Sequence, residues 1–368
     1  MGWMTSTYYP GGGAIFQRLS DFAGIIVVAA TVLPFIRWNE WWIRWFDFPR
    51  LQLLVLGVLL IGLRLLWGLQ MSWPRAVLLA ALLLSVGYQT YRILPYTQLS
   101  RVQAKTTTES SNGVTVRLVT ANVLMHNREA EKYLQVLAET DPDIILTTEA
   151  DQWWADQLKP LDRTYPYQVK HPLGNTYGML LHSRIPLIES SVQFLVEPLV
   201  PSIHSGVRLP GGHVFRFIGL HPRPPGPTEN EESTERDAEL IITAKSVKRS
   251  NLPVVVLGDL NDVAWSHTTT LFQKISGLLD PRIGRGMYNT YHADYFFIRF
   301  PLDHVFHSAH FKLIDMRRLA HIGSDHFPIY VALSFTPTED AAERPAAAKR
   351  EEEEEARETV KEAFEKKP

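Results

Sequence analysis

Residues 51–69 are apolar almost without a break, with Arg64 as their only charge, and residues 76–94 repeat the pattern with Arg92 near their end. Each run is close to the ~20 residues a helix needs to cross the hydrocarbon core of a bilayer. No polar face interrupts either run, so a half-buried surface helix is a poor fit and a buried helical core is the weaker alternative. A third run, 22–36, is shorter and contains Pro34. It reads as a further span if it extends into Trp38, Trp41, Trp42 and Trp45, because tryptophan gathers at membrane interfaces. A cleaved signal peptide explains it less well, since two long runs follow and no clear small-residue cleavage site does. The expected front of the chain is therefore a membrane region over residues 1–95 with about three transmembrane helices, and its partner is the lipid bilayer.

Behind this region the composition changes. Residues 96–113 are polar and rich in Thr and Ser, and read as a linker. Residues 114–335 then alternate strand-like and helix-like segments. Val114, Val116, Leu118 and Thr120 share one strand face. Tyr133, Leu134, Leu137 and Ala138 have helical spacing. Ile144-Ile145-Leu146 is a short buried strand running toward Glu149, and 179–181, 214–220 and 254–257 are further strands, with a helix over 231–249. Residues 336–368 form a charged tail, Glu-rich at 351–355, expected to be solvated and disordered or transiently helical.

The net charge of -2 removes any general attraction to a nucleic-acid backbone, and the 112–335 stretch is itself slightly acidic. The absence of Cys excludes disulfides, thiolate zinc sites and cysteine nucleophiles.

Chemistry-bearing residues gather at the ends of the apolar strands. Pro253-Val254-Val255-Val256-Leu257 stops at Gly258-Asp259-Leu260-Asn261, and Gly323-Ser324-Asp325-His326 precedes the apolar run 327–333. Asn122, Glu149, His221 and Asp303 stand at comparable positions. Singly, each has an ordinary structural explanation as a cap or a satisfied buried group. Together they matter more, because strand ends in a layered α/β domain converge on one edge. Carboxylates, amides and imidazoles meeting there suit a divalent cation and phosphate chemistry.

In order along the chain stand Thr120-Ala121-Asn122-Val123, Thr147-Thr148-Glu149, Gly219-Leu220-His221, Gly258-Asp259-Leu260-Asn261, Leu302-Asp303-His304-Val305 and Ser324-Asp325-His326-Phe327-Pro328. With these six motifs the chain resembles the endonuclease/exonuclease/phosphatase superfamily of DNase I-like, metal-dependent phosphoesterases. The resemblance implies a four-layer α/β sandwich, two β-sheets face to face with helices outside. It implies Mg²⁺ or Mn²⁺ as cofactor, with Glu149 as the main ligand, Asn122 assisting and Asp325 reaching the metal directly or through water. Asp259 would orient or deprotonate the attacking water. Asn261 would donate to a phosphoryl oxygen, and His326, held by Asp303, would contact the phosphate. His221 would hydrogen-bond the phosphate or the leaving oxygen.

The chain departs from abasic-site nucleases after His221. Pro222-Arg223-Pro224-Pro225-Gly226-Pro227 is short and stiff where those enzymes carry a longer polar segment, which counts against DNA-specific recognition. Arg223 is a candidate substrate contact there. Arg236 and Asp237 either buttress the site or form a surface pair. The anchor and the prolines look like the membrane-anchored bacterial branch of the superfamily, which includes proteins linked to glycopeptide-antibiotic resistance. The expected protein is a multi-pass enzyme of the bacterial inner (plasma) membrane that hydrolyses a phosphodiester, phosphomonoester or pyrophosphate. Its phosphate-containing substrate stays open between a lipid-linked phosphate or pyrophosphate, which three spans near a bilayer make attractive, and a nucleic acid. The alternatives are a nuclease acting on DNA or RNA, and a catalytically inactive membrane scaffold. Arg37, Arg44, Arg50, Arg92, Arg101 and Lys105 flank the spans on the domain's side against Arg18 and Arg75 on the other, so the positive-inside rule favours a cytoplasmic hydrolase domain, whereas the resemblance to the antibiotic-resistance branch implies an outward-facing site that would meet cell-wall lipid intermediates.

Overall fold

The structure, a computed structural model, describes residues 10–66, 72–109, 113–341 and 343–365. The last three residues of the 51–69 run and parts of the predicted linker and tail lie outside them. The chain divides into two compact units, one ending at Leu94 and the other formed by Asn39–Trp41 with Pro95–Pro368.

The first unit contains α1 (Pro10–Val32), α3 (Arg50–Leu66) and α4 (Trp73–Ile93), with the short α2 (Trp41–Arg44) before α3. Ile15–Phe35 and Trp73–Tyr96 are each long and apolar enough to cross a membrane. Trp41–Asp47 with Arg50–Leu66 makes up to a third span, bent by 65°. The predicted 51–69 run is one helix as far as Leu66, and the bend precedes it, between Asp47 and Arg50. Pro49 sits at the bend, where its missing N–H and its ring prevent the two helices from merging. Two polar clusters fix helix directions. Near one end, Gln89 Nε2 donates to Thr31 Oγ1 (3.0 Å) and Arg50 Nη1 donates to Gln89 Oε1 (3.1 Å). Near the other, Asp21 accepts from Arg64 Nη2 (2.7 Å) and Arg75 Nε (3.1 Å). Hence α1 and α4 run parallel and α3 runs against both. Val27, Leu53, Leu60 and Leu82 pack between them.

The second unit runs β1 (Val114–Asn122), α5 (Ala130–Thr140), β2 (Ile144–Thr148), α6 (Gln152–Gln157), β3 (Tyr167–His171), β4 (Met179–Ser183), β5 (Leu187–Gln193), β6 (Ser202–Arg208), β7 (Val214–Leu220), α7 (Thr234–Lys248), β8 (Val254–Asp259), α8 (His267–Ser276), β9 (Asp303–His307), β10 (Phe311–Arg318), β11 (Ile329–Phe335) and α9 (Arg350–Glu365). Six strands form one sheet in the order β10-β11-β1-β2-β4-β3, and five form another in the order β5-β6-β7-β8-β9. Period-two alternation assigns the faces. Val116, Leu118, Ile144 and Leu146 of one sheet meet Phe215, Phe217, Val255 and Leu257 of the other. The opposite faces carry Val119, Ala121 and Ile145 against Tyr133, Leu137 and Trp154 of α5 and α6, and Ile218, Val254 and Val256 against Leu240, Ala244, Leu271 and Phe272 of α7 and α8. The result is the expected four-layer α/β sandwich. Arg350–Glu365, read from sequence as a solvated tail, is α9. It lies on α7 and α8, with Ala356 buried among their apolar side chains.

Candidate active site

Topology brings the strand ends together. β1 and β2 are parallel, with Asn122 level with Thr148, so Asn122 and Glu149 leave the first sheet at one edge. β7 and β8 are parallel, with Leu220 level with Gly258, which does the same for His221 and Asp259. β9 is antiparallel to β8 and starts opposite its end, pairing Asp303 with Asp259. β11 is antiparallel to β1, with Ile329 level with Thr120, so Ser324, Asp325 and His326 enter from beyond the end of β1. Gly258 has φ 143°, and a Cβ there would overlap the Leu220 carbonyl. Only glycine lets β8 approach β7 so closely just before Asp259. Glu149 and Asn261 sit at φ 57° and 51°, conformations that non-glycine residues rarely adopt and that often mark functional positions.

At the centre, Asn122 Nδ2 donates to Glu149 Oε1 (2.7 Å) and Asp259 Oδ2 (3.0 Å), while its Oδ1 accepts from Leu124 N (3.0 Å). Asn122 thus holds the two carboxylates in register across the sandwich. His221 lies between the same pair, its Nε2 3.9 Å from Glu149 Oε1 and its Nδ1 3.9 Å from Asp259 Oδ2. Asp259 Oδ1 accepts from Asn261 N (2.9 Å), and Asn261 Nδ2 donates to the Pro222 carbonyl (2.9 Å). His326 Nδ1 is 2.8 Å from Asp303 Oδ2, and its Nε2 is 3.5 Å from Asp259 Oδ2. Eight of the nine predicted site residues therefore converge; Glu149, Asn261 and Asp325 are the half-buried members among them.

Burial alone would lower the His326 pKa. The charges of Asp259, Asp303 and Asp325 and the Asp303 hydrogen bond outweigh it and raise the value to about 10. Burial raises the Glu149 carboxyl, and His221, Asn122 and His326 oppose that shift while Asp325 adds to it. A doubly charged ion beside this desolvated carboxylate would reverse its burden, and the oxygen donors of Glu149 and Asp325 suit a hard cation such as Mg²⁺. Asp259, Asp303 and His326 also offer ligand atoms within 4.8 Å of one another. That trio fits a metal less well. Its closest contact is a hydrogen bond, and an imidazole holding both protons has no lone pair to give.

The profile of the Endonuclease/Exonuclease/phosphatase family matches residues 119–326, more than half of the chain. The chain belongs to that family. Solved structures with a similar fold include D. rerio TDP2 in complex with a single-strand DNA product, at 16% identity and TM-score 0.51 over 60% of this chain and 98% of that one. A humanized D. rerio TDP2 carrying 14 mutations matches at 16% identity and TM-score 0.50, with the same coverage. No curated protein sequence matches the chain.

The family match ends at His326. Arg223 stands apart from the convergent set. Its guanidinium lies 3.3 Å from Glu197 and 3.6 Å from Glu229 and covers the ring of Tyr177, whose face is 5.5 Å from His221. Arg236 and Asp237 are a buried pair rather than a surface one. Arg236 Nη1 donates to the Asn261 carbonyl (2.8 Å) and lies 3.6 Å from Asp262. Behind Asp262, His304 Nε2 is 2.8 Å from its carbonyl, and Arg282 binds both His304 and Asp280. Thr290 Oγ1 accepts from Asp303 N (3.2 Å), and the Tyr291 ring lies 5.0 Å from that of His326. Asp262 directly follows the fourth motif and was readable there. Tyr177, Thr290 and Tyr291 sit in segments without periodicity, and nothing in their spacing points to the site.

Proposed function

We propose that the chain is a membrane-anchored, Mg²⁺- or Mn²⁺-dependent phosphoesterase of the bacterial branch of its family. It hydrolyses a phosphodiester, phosphomonoester or pyrophosphate by attack of water. One observation carries the reading: Asn122, Glu149, His221, Asp259, Asn261, Asp303 and His326 arrive from both sheets and interlock at hydrogen-bond or near-contact distances. Glu149 and Asp325 would hold the metal, with Asn122 orienting Glu149. When bound, the metal supplies Lewis-acid polarisation of the phosphate and its water.

The chain's own groups divide the remaining work. Asp259 accepts a proton from the attacking water or orients it. Its Oδ2 already faces Asn122, His221 and His326. Asn261 uses one amide hydrogen on Pro222 and has a second for a phosphoryl oxygen. His326, protonated and held by Asp303, stabilises developing negative charge. His221 donates to the phosphate or the leaving oxygen. Arg223, tied to Glu197 and Glu229, contributes to a substrate contact only if it leaves those carboxylates.

A lipid-linked phosphate is the substrate we favour, because two or three candidate spans keep the site near a bilayer. The nuclease reading draws on the fold shared with a TDP2 bound to single-strand DNA product. The net charge of -2 and the Pro-rich loop after His221 count against it. The complete polar set counts against an inactive scaffold. The test is hydrolysis of bis-p-nitrophenyl phosphate by the detergent-solubilised full chain with Mg²⁺ or EDTA, followed by a panel of lipid phosphates, DNA and RNA. No turnover on any of them would overturn the enzymatic reading. Turnover of nucleic acid alone would replace the lipid one.

A further inference from the structure

Between α8 and β9 the chain makes a lobe at residues 292–299 with Tyr295-Phe296-Phe297-Ile298 at its tip. These four side chains are 59%, 72%, 81% and 49% exposed. The other exposed large apolar side chains of the second unit stand singly, which is ordinary, whereas four in succession are not. The lobe is held firmly. His292 N donates to the Ile298 carbonyl (2.9 Å), Ile298 N to the Tyr295 carbonyl (3.1 Å), and Thr290 N to the Phe300 carbonyl (3.0 Å). Arg299 Nη2 donates to the Ala293 carbonyl (2.8 Å), with its guanidinium against Phe296 and Phe327. Arg318 covers the same Phe327 ring.

The lobe is also wired to the candidate site. Ala293 N donates to the Asp325 carbonyl (2.6 Å), Phe327 N donates to the Thr290 carbonyl (3.0 Å), and Tyr291 pairs with His326. The tip therefore cannot move far without moving the segment that carries Asp325 and His326.

We infer that residues 295–298 seat in the surface of a bilayer and hold the mouth of the active site at the level of lipid headgroups. The substrate class is accordingly a phosphate carried on a lipid, a step that rests on the hydrolase reading above. A convex apolar tip of Tyr and Phe is the shape and chemistry that sits at a membrane interface. Arg299 and Arg318 lie behind it, where lipid phosphates would be; Asp294, the acidic group on the lobe, faces His292 and His321. The same chain carries candidate membrane spans, so a bilayer is always at high effective concentration for this tip.

The absence of native Cys allows one unique label. Phe296→Cys, labelled with an environment-sensitive fluorophore, is reconstituted as the full chain into phosphatidylcholine vesicles containing phosphatidylglycerol. Leu252→Cys serves as control; Leu252 lies before the start of β8, at the end opposite Asp259. The expected result is a blue-shifted emission at position 296 that acyl-chain spin-labelled lipid quenches and iodide does not, with the reverse at position 252. Iodide access at 296 without lipid quenching overturns the inference. Protection from both quenchers assigns the tip to a protein surface, such as a second copy of the chain, and overturns it as well. None of these readouts depends on turnover, so failure of the hydrolase reading would leave them unchanged.

Discussion

The His326 ring joins two carboxylates of different strands, Asp303 through Nδ1 at 2.8 Å and Asp259 through Nε2 at 3.5 Å. β8 and β9 set this spacing by pairing Asp259 with Asp303, so the ring is clamped by backbone register. Asp303→Asn removes one of the charges that lift the His326 pKa. The expected outcome is a kcat lower by ~10²-fold, the scale of losing one charge-stabilising group, with a smaller change in KM. Because the imidazolium form is the working one, the alkaline limb of the pH–rate profile should move to lower pH. Unchanged kcat and profile would reduce Asp303 to a structural role.

Glu149 gives a readout that needs no turnover. Its carboxyl is buried and its pKa is raised by that burial. A ligand that binds only the folded state raises stability by RT ln(1 + [L]/Kd), about 1.4 kcal/mol at ten times Kd. Mg²⁺ should therefore raise the Tm of the wild-type chain. Glu149→Gln should show little of this shift, an unchanged or higher metal-free Tm, and activity lower by orders of magnitude. Equal Mg²⁺ shifts in both proteins would remove Glu149 from the metal site.

Glu239 on α7 is fully enclosed, its Oε1 has no hydrogen-bond partner, and burial, with a contribution from Glu197, pushes its pKa up to about 8. The folded chain keeps this proton up to about pH 8, whereas the unfolded chain releases it near the ordinary value of 4.5. Between those limits the folded state binds more protons, so this group's contribution to stability is retained below 4.5 and lost as the pH rises toward 8. The full loss is on the order of 3–5 kcal/mol. Glu239→Gln should match the wild type in Tm near pH 4 and exceed it at pH 9. Parallel Tm curves across that range would mean that Glu239 ionises freely in the fold.

The docked tail is open to a direct test. Ala356 is fully buried against α7 and α8, Lys245 Nζ donates to its carbonyl (3.1 Å), and Lys274 pairs with Glu352 (2.6 Å). Exposed pairs such as Lys248–Glu353 add little. The apolar stripe of Ala356, Val360 and Ala363 therefore supplies most of the attachment. Ala356→Glu would bury an unpaired charge and should destabilise the domain by roughly 2–4 kcal/mol in denaturant unfolding. A solvated tail predicts no change.

That stripe also marks how far the sequence was legible. The strands that carry the site were readable because Val, Ile and Leu run up to or away from a Gly or a polar residue, and six such strand ends in order, four closing a strand and two opening one, outweigh any one. Ala356, Val360 and Ala363 have helical spacing too, but the surrounding glutamates dominate the composition and hide it. β5 and β6 were missed because Glu189, Ser190, Ser191 and Ser202 dilute their apolar pattern. Thr290 and Tyr291 reach the site through a loop whose course depends on tertiary hydrogen bonds, which leave no local signature.

Helix direction predicts a membrane topology. α1 and α4 run parallel, since Thr31 meets Gln89 near one pair of ends and Asp21 meets Arg75 near the other. Two parallel spans in one chain need a return crossing between them. α3 runs antiparallel along both, and its 17 residues cover roughly 25 Å at 1.5 Å per residue. On the proposed membrane-anchored reading the bent α2–α3 pair is the third crossing, and we expect the start of α1 and the hydrolase domain on opposite sides. Arg37, Arg44, Arg50, Arg92, Arg101 and Lys105 belong to the domain's side, against Arg18, Arg64 and Arg75 on the other. The positive-inside bias then predicts a cytoplasmic domain. Reporters active on only one side of the membrane, fused to each terminus of the full chain, should give a cytoplasmic signal at the C-terminus and an external one at the N-terminus. A cytoplasmic signal at both termini would mean that α3 does not cross. An external C-terminus would reverse the orientation and direct the site to phosphates on the outer leaflet.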